Sequence, residues 1–321
     1  MINAITVTNY RGESKRIELA DPEQSGFVIE RIEGLGPVKA MVNLTEAGVI
    51  DGAFYNSARA SYRNIVISLS FLPMPEIEDT RRETYKYFPL KKPLTLRIET
   101  DKRNCRTIGY VESNEPDIFS SREGAQISIL CPGSYFYADG DAGTSIIPFT
   151  DESAFEFPFS NESLTSKQIE FRILQNGAHK NVRYYGDVET GVVIRIFATG
   201  EASGISFYNA ETYERLQIDT QKLASMMSGV GIQSGDELII STLAGAKTAT
   251  LLRDGKSYNI LNCLYKEESI VDPDTLQETV RRSEPDWFCV EKGGNEFAFE
   301  VQEGLSNLQI QMEIPTLYEG V

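Results

Sequence analysis

Short runs rich in Val, Ile, Phe, Tyr and Thr recur along the whole chain, each closed by Gly, Asn, Asp or Pro, and this rhythm predicts a mainly β protein. The runs include "AITVTN", "NIVISLSFLP", "LTLRIET", "RTIGYVES" and "AQISILCP", then "GVVIRIFATG", "DELIISTLAG" and "LQIQMEI". Several alternate with period two. In "NIVISLSF", Ile65, Ile67, Leu69 and Phe71 fall on one face, with polar or small residues on the other. Strands patterned in this way keep one wet face, as in sandwiches and open barrels.

Helical periodicity is confined to two segments. "PEIEDTRRETYKYF" places Ile77, Arg81, Thr84, Tyr85 and Phe88 near one face, with acidic residues in its first turn and Pro89 as its stop. "PDTLQETVRRSEPD" has Asp272 as a cap before Pro273, Leu276 and Val280 four apart, and Arg281-Arg282 where the negative end of the dipole falls. Strand-like stretches flank it, so a helical insertion in a β domain is expected around Asp272 to Asp286. No tandem repeat and no low-complexity tail interrupts the pattern.

With 321 residues the chain exceeds one typical domain, which predicts two separate cores. Charge sharpens this. Residues 1–138 hold 17 Lys+Arg against 18 Asp+Glu, whereas 139–321 hold 14 against 29. A boundary near "YFYADGDAGTS" follows, giving expected domains 1–138 and 139–321. A near-neutral half tolerates close association with copies of itself, and a strongly acidic half faces water. Neither half is basic enough to hold nucleic acid by counterion release. No apolar run approaches the roughly 20 residues of a membrane helix, and "MINAITVTNYRGESKR" lacks a signal-peptide core, so folding in a cytoplasm without membrane insertion is expected. Cys105, Cys131, Cys263 and Cys289 form no Cys-x-x-Cys pair and read as buried free thiols.

Candidate chemistry is thin. In "GLGPVKAM", residues 34–41, Pro37 follows the second glycine and a strand comes next, so the stretch lacks both the Gly-Lys-Ser/Thr of a phosphate loop and the helix behind it. His179 is the only histidine, and "QNGAHKNVRYYG" reads as a loop between strands with a solvated imidazole. A zinc site of several histidines is excluded. Asp139-x-Asp141 in "ADGDAGTS" looks like the start of a calcium loop, but the glycine falls one position early and Thr150 stands where a bidentate Glu is needed. A Gly/Asp turn between domains fits better. Asp272-x-Asp274 followed by Glu278 is explained by the helix cap. The paired carboxylates of a glycosidase cannot be read from sequence, and the single tryptophan, Trp287 beside Phe288 and Cys289, reads as core rather than sugar platform. No enzyme, cofactor or metal site is expected.

Taken in order, "GLGPVKAMVNLTEAGVIDGAFYNSARASYRNIVISLSFLP", "EDTRRETYKYFPLKKPLTLRI" and "GYVESNEPDIFSSREGAQISILCPGSYF" closely resemble the N-terminal domain of the distal tail protein (Dit) family of long-tailed, siphovirus-type bacteriophages and prophages. "YYGDVETGVVIRIFATG", "GDELIISTLAGAKTATLLRDGKSYNIL", "WFCVEKGGNEFAFE" and "IQMEIPTLYEGV" look like that family's C-terminal galectin-like β-sandwich, so the resemblance spans nearly the whole chain. It implies an N-terminal β-sandwich with one helix and a protruding β-hairpin arm. It also implies a structural, non-enzymatic virion protein: a homo-hexameric ring at the tail tip joining the tail tube protein to the baseplate hub, with DNA passing through its lumen. The C-terminal domain would face outward and hold a receptor-binding protein or adhesin, and the final residues would pack back on the N-terminal domain.

The residues agree with an arm on their own grounds. Gly34, Gly36 and Pro37 suit its base, and Gly48, Asp51 and Gly52 its tip. Val38, Met41, Val42, Leu44, Val49, Ile50, Phe54 and Tyr55 have no large local core to enter, and a neighbouring subunit could supply one. The alternative is an ordinary hairpin packed on its own sandwich. Asp254-Gly255 between "TATLL" and "SYNIL" signals a tight hairpin in the second domain. A saccharide-binding host-attachment module in that domain is the alternative function, since a galectin-like fold does not by itself bring sugar binding.

Overall fold

The computed structural model describes residues 1–46, 48, 51–119, 122–140, 143–149, 151–153, 172–174, 179–271 and 278–321. It divides into two compact units, Met1–Gly143 with Leu317–Val321, and Thr144–Thr316.

The first unit contains β1 (Ile2–Thr8), β2 (Ser14–Glu18), β3 (Phe27–Glu33), β4 (Ala40–Glu46), β5 (Ala53–Ala60), β6 (Arg63–Phe71), α1 (Ile77–Tyr87), β7 (Pro93–Thr100), β8 (Asn104–Asp117), β9 (Gly124–Cys131) and β10 (Phe136–Ala138). Its main sheet runs β2-β1-β7-β8-β9-β6-β3, and β10 bridges β8 to the strand Leu317–Tyr318. Ile17 of β2 and Phe27 of β3 stand at opposite ends of that path. They nevertheless share one core with Leu69, Leu96 and Ile129, so the sheet folds over on itself as a sandwich. Bulges in β3 and β8 supply the bend. Ile65, Ile67, Leu69 and Phe71 all point into this core, as their period-two spacing requires.

Helix α1 covers the predicted stretch. Glu78 and Asp79 sit at the positive end of its dipole, and Phe88 closes it. The face turned inward is rotated from the expected one. Thr80, Thr84, Tyr87 and Phe88 are buried, while Tyr85 is exposed and Arg81 makes an ion pair with Glu123 at 3.0 Å.

In the second unit lie β11 (Thr144–Pro148), β12 (Asp151–Ser153), β13 (Arg172–Leu174), β14 (His179–Tyr184), β15 (Thr190–Gly191), β16 (Val193–Ala198), β17 (Ser203–Asn209) and β18 (Arg215–Ile218). There follow α2 (Thr220–Met226), β19 (Glu237–Ser241), β20 (Thr248–Arg253), β21 (Lys256–Asn259), β22 (Leu264–Val271), β23 (Glu278–Ser283), β24 (Cys289–Val290), β25 (Gly293–Glu303) and β26 (Leu308–Pro315). Two antiparallel sheets, β11-β26-β16-β19-β20-β21 and β14-β25-β17-β18-β22-β23, enclose a single core. Ile194, Ile196, Leu238, Ile240 and Ile310 enter it from the first sheet and Phe207, Phe297 and Phe299 from the second. The β20–β21 turn has positive φ at both Asp254 and Gly255, the type I′ geometry that this dipeptide favours.

Two readings of the sequence need correction. The segment expected as a helix around Asp272 to Asp286 is, in its described part, strand β23, which pairs with β22 from Lys266↔Ser283 to Val271↔Glu278. Residues 272–277, including the expected cap Asp272, lie outside the described residues. The β-branched Ile270, Val271, Thr279 and Val280 favour this ladder over a helix. His179 does not lie in a loop: it opens β14 opposite Ala298, with its imidazole exposed and 3.1 Å from Glu296. Helix α2 was not expected. Asp219 caps it, accepting from the Lys222 amide at 2.8 Å.

The remaining candidates have ordinary structural settings. Trp287 is partly buried against the core, with the Lys247 ammonium over its ring. The cysteines are free thiols, three buried and Cys289 half-buried. Asp139 is engaged by Arg97 at 2.8 Å, and no cluster fit to hold a metal occurs among the described residues. Asp141 and Thr150 fall outside them.

Candidate assembly site: the arm and its clamped base

Strands β4 and β5 form a sheet of their own, pairing from Ala40↔Ala60 to Glu46↔Ala53. Every residue from Ala40 to Glu46 and from Ala53 to Arg59 is exposed, so the hairpin does not pack on the sandwich of its own unit. A bulge at Asn56 shifts the register between Asn43↔Ser57 and Leu44↔Tyr55. By strand alternation, the pairs Ala40–Ala60, Val42–Ala58 and Leu44–Tyr55 then share one face. The opposite face is mixed: Asn43 Nδ2 donates to Ser57 Oγ at 2.9 Å and Asn56 Nδ2 to Thr45 Oγ1 at 2.6 Å, while Met41 and Phe54 are exposed on it.

The arm therefore carries one apolar face and one mixed face. Leu44 is 57% and Tyr55 66% exposed, and a two-stranded ribbon without other cover is marginal in water. Met41 and Phe54 belong to the other face with Arg59, whose guanidinium lies 3.7 Å from Met41 Sδ. Val38 is half-buried at the base. Gly48 and Gly52 are exposed at the tip, and Val49 and Ile50 lie outside the described residues.

The base is fixed by Arg63, a residue that sequence reasoning missed. Its side chain is 1% exposed, and its guanidinium donates to four backbone carbonyls. Nη1 reaches Gly34 O and Gly36 O, both at 2.6 Å, and Nη2 reaches Ser134 O at 2.9 Å and Glu319 O at 2.6 Å. The Phe136 ring closes one face of the guanidinium at 4.1 Å. Burial pushes the Arg63 pKa down, but from so high a starting point that the group stays charged at neutral pH. The carbonyl dipoles take the place of a counter-ion.

The segment Leu317–Val321 completes the clamp. The Val321 amide donates to Leu35 O at 3.1 Å, and Arg103 lies over the Tyr318 ring while donating to Gly320 O at 3.2 Å. One buried cation thus ties together the base of the arm, the turn before β10 and the last residues of the chain.

Gly34 shows why the base reads "GLG". Its φ is +82°, and a Cβ there would stand 1.9 Å from the backbone oxygen of Asn64. Gly34→Ala is expected to cost at least about 1–2 kcal/mol from the left-handed backbone alone, with the clash added. Urea denaturation measures this directly, and an unchanged midpoint would show that the base can relax.

The solved structure of the SPP1 Dit (gp 19.1) protein, described as a paradigm of the hub adsorption apparatus in phages infecting Gram-positive bacteria, matches with a TM-score of 0.59 at 11% identity, covering 98% of both chains. The chain has the Dit fold. The phage P2 baseplate in its activated conformation, with Ca or with Sr, gives TM-scores of 0.46 at 11% identity and 98% coverage of each chain. No family model and no curated protein matches the chain. The alignment to the SPP1 Dit protein covers both units.

Proposed function

We propose that this protein is a structural component of a phage tail tip. Copies of the first unit close into a hexameric ring that joins the tail tube to the baseplate hub, and the second unit serves as adaptor for receptor-binding components. DNA passes through the lumen without specific binding, and the work is done by assembly rather than catalysis.

The observation that supports this most strongly is the arm. A hairpin that, among the described residues, pairs only with itself, exposes Leu44, Tyr55, Met41 and Phe54 and is clamped at its root is built to be covered by something outside its own unit. A cyclic ring requires a heterologous contact, one patch meeting a different patch on the next copy, and an arm supplies one half of it. The Dit fold, shared with a protein described as hub adsorption apparatus, supports the tail tip as its place.

Light scattering on the purified full chain, with negative-stain images of the same fraction, tests the proposal. Ring-shaped particles with the mass of a hexamer, or of two stacked hexamers, are expected. A single species at the 35.9 kDa of one chain, with no rings at any concentration, would contradict self-assembly.

A further inference from the structure

The outer face of the sheet β14-β25-β17-β18 carries a groove that the ring reading does not use. Four residues stand directly opposite one another across its strands: His179, Ala298, Tyr208 and Arg215. Along β25, Glu296 and Glu300 lie two positions to either side of Ala298 and so point to the same face. Ala298 is thus the one small side chain at the centre of a cross of long ones. The hollow over it has a volume of about 760 Å³.

Its polar groups are held in place by one another. Tyr208 Oη donates to Glu300 Oε2 at 2.7 Å, and His179 Nδ1 lies 3.1 Å from Glu296 Oε1. The Arg215 guanidinium stands 5.2 Å from the centre of the Tyr208 ring, while its backbone amide donates to Asp286 at 3.1 Å. Burial and the Glu300 carboxylate both raise the Tyr208 pKa, which keeps the phenol protonated as a donor. At the rim, buried Asn209 accepts from the amides of Glu211 and Thr212 at 3.0 and 3.3 Å and so shapes the turn that presents Tyr213. Tyr213 sits at φ +58° and is 85% exposed. A bulky residue in the left-handed region with its ring in water is an uncommon expense of both backbone and solvation.

From this geometry we infer that the groove over Ala298 is a binding site for a neutral saccharide. Glu300, having taken one donor from Tyr208, has lone pairs left to accept from a hydroxyl, and the Arg215 guanidinium can donate to one. A sugar ring offers neighbouring hydroxyls that both donate and accept, and so meets carboxylate and guanidinium alike without adding charge of its own. The groups are ordered before the ligand arrives, which reduces the entropy lost on binding. The rings of Tyr208 and Tyr213 supply the apolar surface on which the C–H faces of a sugar pack. A nucleic acid does not fit, because residues 139–321 carry 14 Lys+Arg against 29 Asp+Glu and repel phosphate.

The site is independent of ring formation and is tested on the full chain. Saturation-transfer NMR would be run against a panel of neutral oligosaccharides containing glucose, galactose, rhamnose or N-acetylglucosamine, with a tetra-alanine peptide as control. At least one sugar is expected to bind. Tyr213→Ala, a change at an exposed position that leaves the fold untouched, should weaken it by about tenfold. Ala298→Leu should abolish binding by filling the floor, with an unchanged thermal melt confirming that the sandwich is intact. No binding by any sugar in the panel, or binding that survives Ala298→Leu in a folded protein, would overturn the inference.

Discussion

Replacing Arg63 by methionine is expected to cost about 4 kcal/mol of unfolding free energy or more, since four carbonyls lose their donor at roughly 1 kcal/mol or more each. Methionine keeps much of the volume over Phe136 but leaves the carbonyls of Gly34, Gly36, Ser134 and Glu319 without the donor that joins them. Arg63→Lys should recover little. A single ammonium on a flexible stem cannot reproduce a planar fork that reaches four acceptors from three chain segments. Because the native guanidinium is charged throughout the neutral range, the loss should not vary with pH there. A chemical-denaturation series on the three proteins measures it, and a loss below about 0.5 kcal/mol, the scatter of ordinary surface changes, would show that Arg63 is not the clamp.

The second large effect falls on assembly. With Leu44→Asp and Tyr55→Asp combined, the proposed ring should not form, leaving single chains of 35.9 kDa. Each side chain contributes roughly 1.5–3 kcal/mol when buried, so losing two weakens every arm contact by at least about a hundredfold before the cost of burying two carboxylates is added. The thermal stability of the single chain should stay within about 0.5 kcal/mol of the original, since both residues are exposed there. Asn43→Asp with Ser57→Ala, a polar pair on the other face, is the matching control and should leave the assembly intact. Sedimentation velocity separates these outcomes: a ring that survives the first pair of changes would remove the apolar face from the interface.

The parts of the fold that the sequence makes legible are those written in local periodicity. Ile65 to Phe71 alternate because one side of β6 is core, and α1 is announced by its acidic first turn and the proline behind it. The arm is legible for a different reason: apolar residues bracketed by glycines had no core within reach, and Leu44 and Tyr55 are indeed exposed. Whether another copy covers them is a matter of assembly, which one chain does not contain.

What was missed lies in contacts made over long sequence separations. Arg63 binds backbone carbonyls as far away as Glu319, and a carbonyl has no side-chain signature to read. The β22–β23 ribbon was mistaken for a helix because Leu276 and Val280 are spaced by four and Arg281-Arg282 follow, all local signals. The ladder with β22 outweighs them. His179 follows an Asn-Gly-Ala stretch typical of turns, and only its pairing with Ala298 places it in a strand and beside the groove.

The most direct measurement is photo-crosslinking from the arm. A benzoylphenylalanine placed at Tyr55 of the full chain, irradiated at micromolar concentration and analysed by denaturing gel and peptide mass spectrometry, reports what lies against the apolar face. If neighbouring copies cover it, crosslinked bands appear at multiples of 35.9 kDa and the joined peptides come from two chains. If the label reacts only within its own chain or with solvent, the arm is not a tie between copies and the proposed assembly is contradicted.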